Sequence, residues 1–122
     1  DEDGFLFIVD RKKDVIITGG HNIYPLEVES VLYRHPAVAM CAVVPAPDSE
    51  LGEIPVGVVV LGEGATASAE DLRQWCRQEL AAYKAPRRVE IIDEMPVEAA
   101  KIRKRDLVAA LKEGSLDRFR RG

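Results

Sequence analysis

The sequence lacks the features that mark membrane-spanning, secreted or disulfide-bonded proteins. Its 122 residues include two cysteines, and neither has the spacing of a metal ligand. The longest apolar stretches, 37–47 and 54–61, are far shorter than the roughly 20 residues of a membrane-spanning helix. No positively charged, apolar-cored leader opens the sequence. We therefore expect a cytoplasmic protein without a transmembrane segment, in which Cys41 and Cys76 are buried, reduced thiols.

Common catalytic and ligand-binding constellations are also missing. The two histidines, His21 and His35, do not have the companions of a zinc site. The sequence shows no Ser/His/Asp or Cys/His arrangement and no dinucleotide-binding glycine pattern. Its net charge of −4 argues against nucleic acid as a partner. We therefore expect this chain to bind neither metal nor nucleic acid.

The charge is distributed unevenly along the chain. Residues 99–122 carry eight basic and three acidic side chains, whereas residues 1–98 carry nine basic and eighteen acidic ones. A basic end on an acidic body suits a phosphate-bearing ligand or an acidic partner surface. The alternative is a solvated basic helix face followed by a frayed tail that includes Arg118, Arg120 and Arg121.

The hydrophobic pattern predicts an α+β fold, in which helices cover a small mixed β-sheet of about three strands. A short β-hairpin remnant precedes it, because 1–4 has turn composition and 4–10 is strand-like. That remnant strand would have an unpaired edge. The elements predicted after it are strand 15–17, helix 25–34, strands 37–45 and 54–61, a helix capped by Ser68 and ending near 84, strand 87–93 and helix 103–112.

The most informative segment is 10–29, DRKKDVIITGGHNIYPLEVE. A β-branched strand leads into Gly19-Gly20, which permits positive φ and close approach by another molecule. Pro25 then suits the first turn of a helix. This segment resembles the hinge and following loop of the adenylate-forming enzymes. Its sequence GGHNIYPLEVE favours their acyl-CoA synthetase branch.

The resemblance covers residues 4–112 and implies a division of the chain. Residues 1–13 would be the end of a large N-terminal adenylating domain plus the hinge, 14–112 a C-terminal lid domain and 113–122 a basic tail. The parent enzyme would convert a small-molecule carboxylic acid, ATP and coenzyme A into acyl-CoA, AMP and pyrophosphate through an acyl-adenylate. The missing domain would bind the Mg²⁺ that accompanies ATP, and the lid alone would be inactive.

A second matching segment contains Lys101. In the family, the corresponding lysine bridges the α-phosphate of ATP and the substrate carboxylate, where an ammonium lowers the repulsion between two anions. Here Ala100 stands where the family usually has glycine, and the spacing from Pro96 to Lys101 is one residue shorter. Without the resemblance, Lys101 would be a cation at a helix start. Lys104 would be one more charge on the final helix.

The resemblance also assigns roles before the first helix. Lys13 would be the hinge about which the lid swings, and Arg11 would contact the nucleotide. Gly19, Gly20 and His21 would line the tunnel for the pantetheine arm of coenzyme A. On sequence alone, Arg11 and Lys13 are surface cations, the glycines form a tight turn and His21 is a solvent-exposed imidazole.

Other functions remain open. An adenylating domain that loads a carrier-protein thiol instead of coenzyme A would share most of these features. The chain would also suit a lid that acts in trans on a separate domain, or a degenerate lid kept for protein interaction.

Overall fold

The computed structural model describes residues 8–9 and 15–121. Within them, a five-stranded sheet and a small three-stranded sheet combine with three α-helices and a final 3-10 helix. The elements in chain order are β1 Ile8–Val9, β2 Ile16–Thr18, β3 His21–Ile23, α1 Pro25–Tyr33, β4 Val38–Asp48, β5 Gly52–Leu61, α2 Ala69–Glu79, β6 Arg88–Ile92, β7 Val97–Glu98, β8 Lys101–Ile102, α3 Lys104–Glu113 and the 3-10 helix Leu116–Phe119. The predicted α+β class is confirmed, but the sheets contain more strands than the three expected.

The centre of the larger sheet is the β4–β5 hairpin, which pairs in antiparallel fashion from Val38–Leu61 to Asp48–Gly52. The opposite edge of β5 pairs with β2 at one end and, in parallel, with β6 at the other. Both strands extend further into their connection than the predicted ends at 45 and 54, since 46–48 still pair with 52–54. Pro45 and Pro47 are tolerated within β4 because this strand lies at the edge of the sheet.

The sheet is buried on both faces. One apolar layer, under α1 and α2, contains Ile16, Ile23, Leu32, Cys41, Val43, Val59, Leu72, Cys76 and Val89. The other, under α3 and the 3-10 helix, contains Ala42, Val44, Val56, Val58, Ile92, Ile102, Leu107, Ala110 and Leu116. Alternate residues of β4 and β5 enter opposite layers, as side chains of a strand must. This explains the almost uninterrupted apolar runs of these two strands.

Helix α2 begins as predicted and ends earlier. Ser68 and Asp71 form a reciprocal capping box, with both N···O distances 3.0 Å. The helix was expected to reach about residue 84, but it ends at Glu79 because Leu80 is already extended. Tyr83 therefore lies beyond the end of the helix, and its side chain is exposed. It reaches the glycine turn described below.

The C-terminal residues pack against the sheet rather than fraying. Leu116 is buried in the layer under α3. The Arg120 guanidinium donates to the carbonyl oxygen of Ile91 at 2.8 Å and to Glu90 Oε1 at 2.9 Å. The frayed-tail alternative is therefore wrong for Arg120. Its basic side chain neutralises an acid on β6.

Candidate functional site

Lys101 lies on a short hairpin formed by β7 and β8. Glu98 pairs with Lys101, so the turn consists of Ala99 and Ala100, whose φ angles are 53° and 66°. Two positive φ values are typical of a type I′ turn, in which glycine, asparagine and aspartate are favoured. Each alanine in this conformation costs about 1–2 kcal/mol. The position where the family usually has glycine is therefore one where the backbone is left-handed, and this chain holds it with alanine.

The Lys101 side chain is exposed, whereas the rest of β8 is anchored to the protein. Ile102 is buried under α3, and the Arg103 N–H donates to the Pro96 carbonyl at 2.9 Å. Glu98, the cross-strand neighbour of Lys101, makes its ion pair with Arg103 instead. Within residues 15–121, Lys101 makes no ion pair. Its ammonium is thus available to an anion supplied by another molecule.

Lys104, which the sequence suggested was a surface charge, is buried. Its side chain is 0% exposed, and Nζ lies 2.7 Å from Oε2 of Glu29 on α1. The same Glu29 oxygen accepts the Val43 N–H at 2.9 Å. One signal in the sequence marks this position: Lys104 precedes Leu107 and Ala110 by three and six residues, which places it on the buried stripe of α3.

The second predicted site is also a hairpin turn. Gly19 and Gly20 connect β2 to β3, with φ angles of 54° and 84°. A Cβ atom on Gly19 would lie 3.0 Å from Leu51 Cδ2, whereas one on Gly20 would have no neighbour within 4 Å. The Gly19 N–H donates to the Leu51 carbonyl at 3.0 Å, which anchors the turn to the main sheet. Gly20 therefore faces open space. The sequence had predicted no strand between this turn and α1, so β3 was missed.

Side chains around the glycine turn form a partly aromatic, exposed surface. The rings of His21 and Tyr83 lie 4.6 Å apart between centroids, tilted by 30°. Tyr83 is exposed, so this ring pair is open to solvent. We call His21, Tyr83 and the Gly19-Gly20 turn the glycine-turn face. Ile17 lies on the other face of the hairpin, because it pairs with Asn22 whereas His21 pairs with the buried Thr18.

An ion pair ties this face to the start of α1. Lys84 Nζ lies 3.1 Å from Glu27 Oε2, and this hydrogen bond raises the pKa of Lys84. Glu27 lies in the first turn of α1, as expected for a carboxylate at a helix start. Glu27 therefore also holds the 81–84 segment, which carries Tyr83, near the turn.

The two hairpins pack on opposite faces of the main sheet. Ile102 of β8 belongs to the layer under α3, whereas Ile16 and Ile23 of the glycine hairpin belong to the layer under α1 and α2. No hydrogen bond, ion pair or ring contact among the described residues joins 16–23 to 97–102. The structure thus keeps Lys101 apart from Gly19, Gly20 and His21.

Two predicted residues, Arg11 and Lys13, lie outside the described residues, and their roles remain predictions. Within the described part of the chain, no group of three or more His, Cys, Asp or Glu side chains is placed to hold a metal ion. None of its helices has the length and apolar character needed to cross a membrane. Cys41 and Cys76 are buried free thiols, as predicted, and burial raises the pKa of Cys76 to about 11.

Comparisons with known proteins define the family. The sequence profile of the AMP-binding enzyme C-terminal domain matches residues 27–101, which end at Lys101. Among curated proteins, the 2-succinylbenzoate–CoA ligase of Geobacillus kaustophilus is 45% identical over 108 residues, covering 88% of this chain and 22% of that protein. The long-chain-fatty-acid–CoA ligase of Bacillus subtilis is 49% identical over 109 residues, covering 88% and 20%.

A solved structure agrees with the sequence match. ATP-bound MatB from Rhodopseudomonas palustris superposes with a TM-score of 0.80 at 34% identity, covering 86% of this chain and 21% of that chain. The chain described here therefore belongs to the AMP-binding enzyme C-terminal domain family. It spans about a fifth of the length of the curated relatives it matches.

Proposed function

We propose that this chain is the C-terminal lid of a cytoplasmic, ATP-dependent acyl-CoA synthetase. The observation that carries the proposal is the placement of two hairpins on opposite faces of one sheet, one with an exposed lysine and the other with a side-chain-free turn. A lid with two working faces suits a reaction in two steps. The names of the relatives, both CoA ligases, and the ATP bound to MatB support the same chemistry.

In the first step, a carboxylate oxygen of the substrate attacks the α-phosphorus of ATP and pyrophosphate leaves. Two anions approach each other, and Lys101 would place its ammonium between them. Its exposure and the absence of an internal ion pair within residues 15–121 support this role. A charge fixed in advance stabilises the transition state without reorganisation. Arg11 would contact the nucleotide, and the N-terminal domain would bind the Mg²⁺ that accompanies ATP.

In the second step, the thiol of coenzyme A attacks the acyl carbonyl of the adenylate and AMP leaves. The lid would rotate about Lys13 and bring Gly19, Gly20 and His21 to the path of the pantetheine arm. The open space beside Gly20 supports this, because a slender chain passes where no Cβ projects. The exposed glycine-turn face would then lie against the large N-terminal domain.

The test separates the two half-reactions in the full-length enzyme that contains this chain. ATP–pyrophosphate exchange reports the first step, and thioester formation from preformed acyl-adenylate reports the second. Lys101→Ala should slow the first step by about 10²–10³-fold, as loss of one preorganised charge-stabilising group does. It should leave the second step within a few fold.

Lys112→Ala is the matched control, because Lys112 is an exposed lysine on α3. It should leave both steps unchanged. If Lys101→Ala retains normal pyrophosphate exchange, Lys101 does not act in adenylation and the proposal fails. Offering a carrier protein as the thiol acceptor tests the other acceptor class, since only coenzyme A should give product.

A further inference from the structure

The buried ion pair between Lys104 and Glu29 has no part in the two steps described above. Its Nζ–Oε2 distance is 2.7 Å, and the lysine is fully buried. Removing two charges from water is costly, and apolar residues of similar volume often stabilise a protein equally well or better. Stability alone is therefore a poor explanation for this pair. Its location points to a role in geometry.

The pair lies at the base of the Lys101 hairpin. Lys104 is the first residue of α3 and follows Lys101 by three residues. Strand β8 is only two residues long, and its turn is made of alanines with positive φ. One end of β8 is paired with β7 and β1, and the other leads through Arg103 directly into α3, so the place of Lys101 depends in part on where α3 begins. The carboxylate that holds Lys104 is itself fixed by the Val43 N–H of the central hairpin, at 2.9 Å.

We propose that Lys104 and Glu29 form a positioning pair that sets the place of Lys101 for the adenylation step. Glu29 supplies a fixed point on α1, and Lys104 holds the start of α3 against it. Lys101 then projects from β8, whose C-terminal end is fixed by the start of α3. This inference rests on the proposed function, since it needs Lys101 to act in adenylation.

The main test replaces both charges together in the full-length enzyme. In Glu29→Gln with Lys104→Met, the glutamine oxygen still accepts the Val43 N–H, and no lone charge is left buried. We expect kcat for ATP–pyrophosphate exchange to fall about 10–100-fold, as a misplacement of about 1 Å can cost 10²-fold. The KM for ATP should move less than threefold. Thioester formation from preformed acyl-adenylate should also change less than threefold.

A mutant cycle that combines the double replacement with Lys101→Ala shows whether the Lys104–Glu29 pair acts through Lys101. In a Lys101→Ala background, the double replacement should reduce exchange by less than twofold further. A loss as large as in the wild-type background would overturn the proposal, and so would equal losses in the two half-reactions. If Lys101→Ala slows exchange but the double replacement does not, this inference fails and the proposed function stands. If Lys101→Ala has no effect, the proposed function fails first.

A second variant covers the outcome in which the double replacement does not fold. Glu29→Asp keeps the charge but shortens the side chain by one methylene, which draws Lys104 away from its present place. Exchange should fall several-fold while thioester formation is kept. Lys104→Arg, which keeps a cation within reach of the carboxylate, should retain most of the exchange activity. Equal losses in both half-reactions of Glu29→Asp would show a purely structural pair.

Discussion

The β2–β3 hairpin and the β7–β8 hairpin each turn through two residues with positive φ, but the first uses glycines and the second alanines. The first lies in the layer under α1 and α2, the second in the layer under α3. The alanine turn demonstrates that this chain can hold a left-handed pair without glycine. Gly20 has a φ of 84°, beyond the values of 53° and 66° that the alanines adopt, and a Cβ on Gly19 would lie 3.0 Å from Leu51. The open space beside Gly20 would in addition admit another molecule, as proposed above.

Among changes to the two turns themselves, the largest expected effect comes from giving the glycine turn a side chain. Gly20→Ala should slow thioester formation by about 10–100-fold, if a contact displaced by about 1 Å costs 10²-fold, and should leave pyrophosphate exchange nearly unchanged. Gly64→Ala is a matched control, because Gly64 has a φ of 76° and equally open surroundings in a different loop. Both variants should lose similar stability, so melting curves separate strain from function. Equal thioester rates in the two variants would refute the role of Gly20.

An intermediate effect is expected from removing the strain of the alanine turn. Ala100→Gly should raise the free energy of unfolding by about 0.5–1 kcal/mol, because glycine adopts a φ of 66° without a Cβ clash. Ala109→Gly, at an exposed position within α3, should lower it by about 1 kcal/mol. Chemical denaturation measures both.

The same variant tests whether the alanine turn works as it stands. Because the backbone conformation is unchanged, pyrophosphate exchange by Ala100→Gly should stay within about threefold, well below the effect of a misplaced group. A large gain in exchange would mean that the alanine turn misplaces Lys101. The chain would then be a degenerate lid.

The smallest effect concerns the ion pair beside the glycine turn. The hydrogen bond to Glu27 raises the pKa of Lys84, so the pair stabilises the fold fully below the unfolded pKa of lysine, about 10.4. That contribution is lost as pH rises through the higher folded pKa. Glu27→Gln should lower the pKa of Lys84, as followed by NMR titration of its ammonium nitrogen. Melting temperatures of variant and wild type should converge at high pH.

Glu79→Gln is the control for this prediction, since Glu79 pairs with Arg34 away from the glycine turn. It should leave the pKa of Lys84 unchanged. An unchanged pKa of Lys84 in Glu27→Gln would contradict the assignment.

Elements with strong local signals were predictable from the sequence. Pro25 marks the first turn of α1, and Ser68 with Asp71 forms the cap of α2. Gly114 ends α3 with a φ of 70°, as a C-terminal glycine does. In each case, a single residue type has a conformational preference strong enough to set a boundary without tertiary contacts.

Elements that depend on tertiary contacts were not predictable. Strands β3, β7 and β8 are two or three residues long, too short for any hydrophobic period to appear. Lys104 was assigned to the surface because isolated lysine almost never lies buried, and its partner Glu29 is 75 residues away in the chain. Placing it required the packing of α1 against the sheet.

The candidate site was likewise predictable where local sequence signals mark it and unpredictable where it depends on tertiary contacts. The Gly19-Gly20 turn could be located from the sequence, because a glycine pair marks it. The family resemblance marked Lys101, but the hairpin that carries it was not predicted. The sequence did not predict that the two hairpins lie on opposite faces of the main sheet. Their placement depends on tertiary packing, which puts Ile23 in the layer under α1 and α2 and Ile102 in the layer under α3.

Strand β8 also has a neighbour on the other side of the proposed pivot. Ile8 pairs with Lys101 and Val9 with Ile102, in parallel. β1 precedes Lys13 in the chain, whereas β8 follows it. If Lys13 is the pivot, as proposed, a swing about it would have to break this pairing. The backbone hydrogen bonds between β1 and β8 would then favour the orientation of the lid described here over a rotated one.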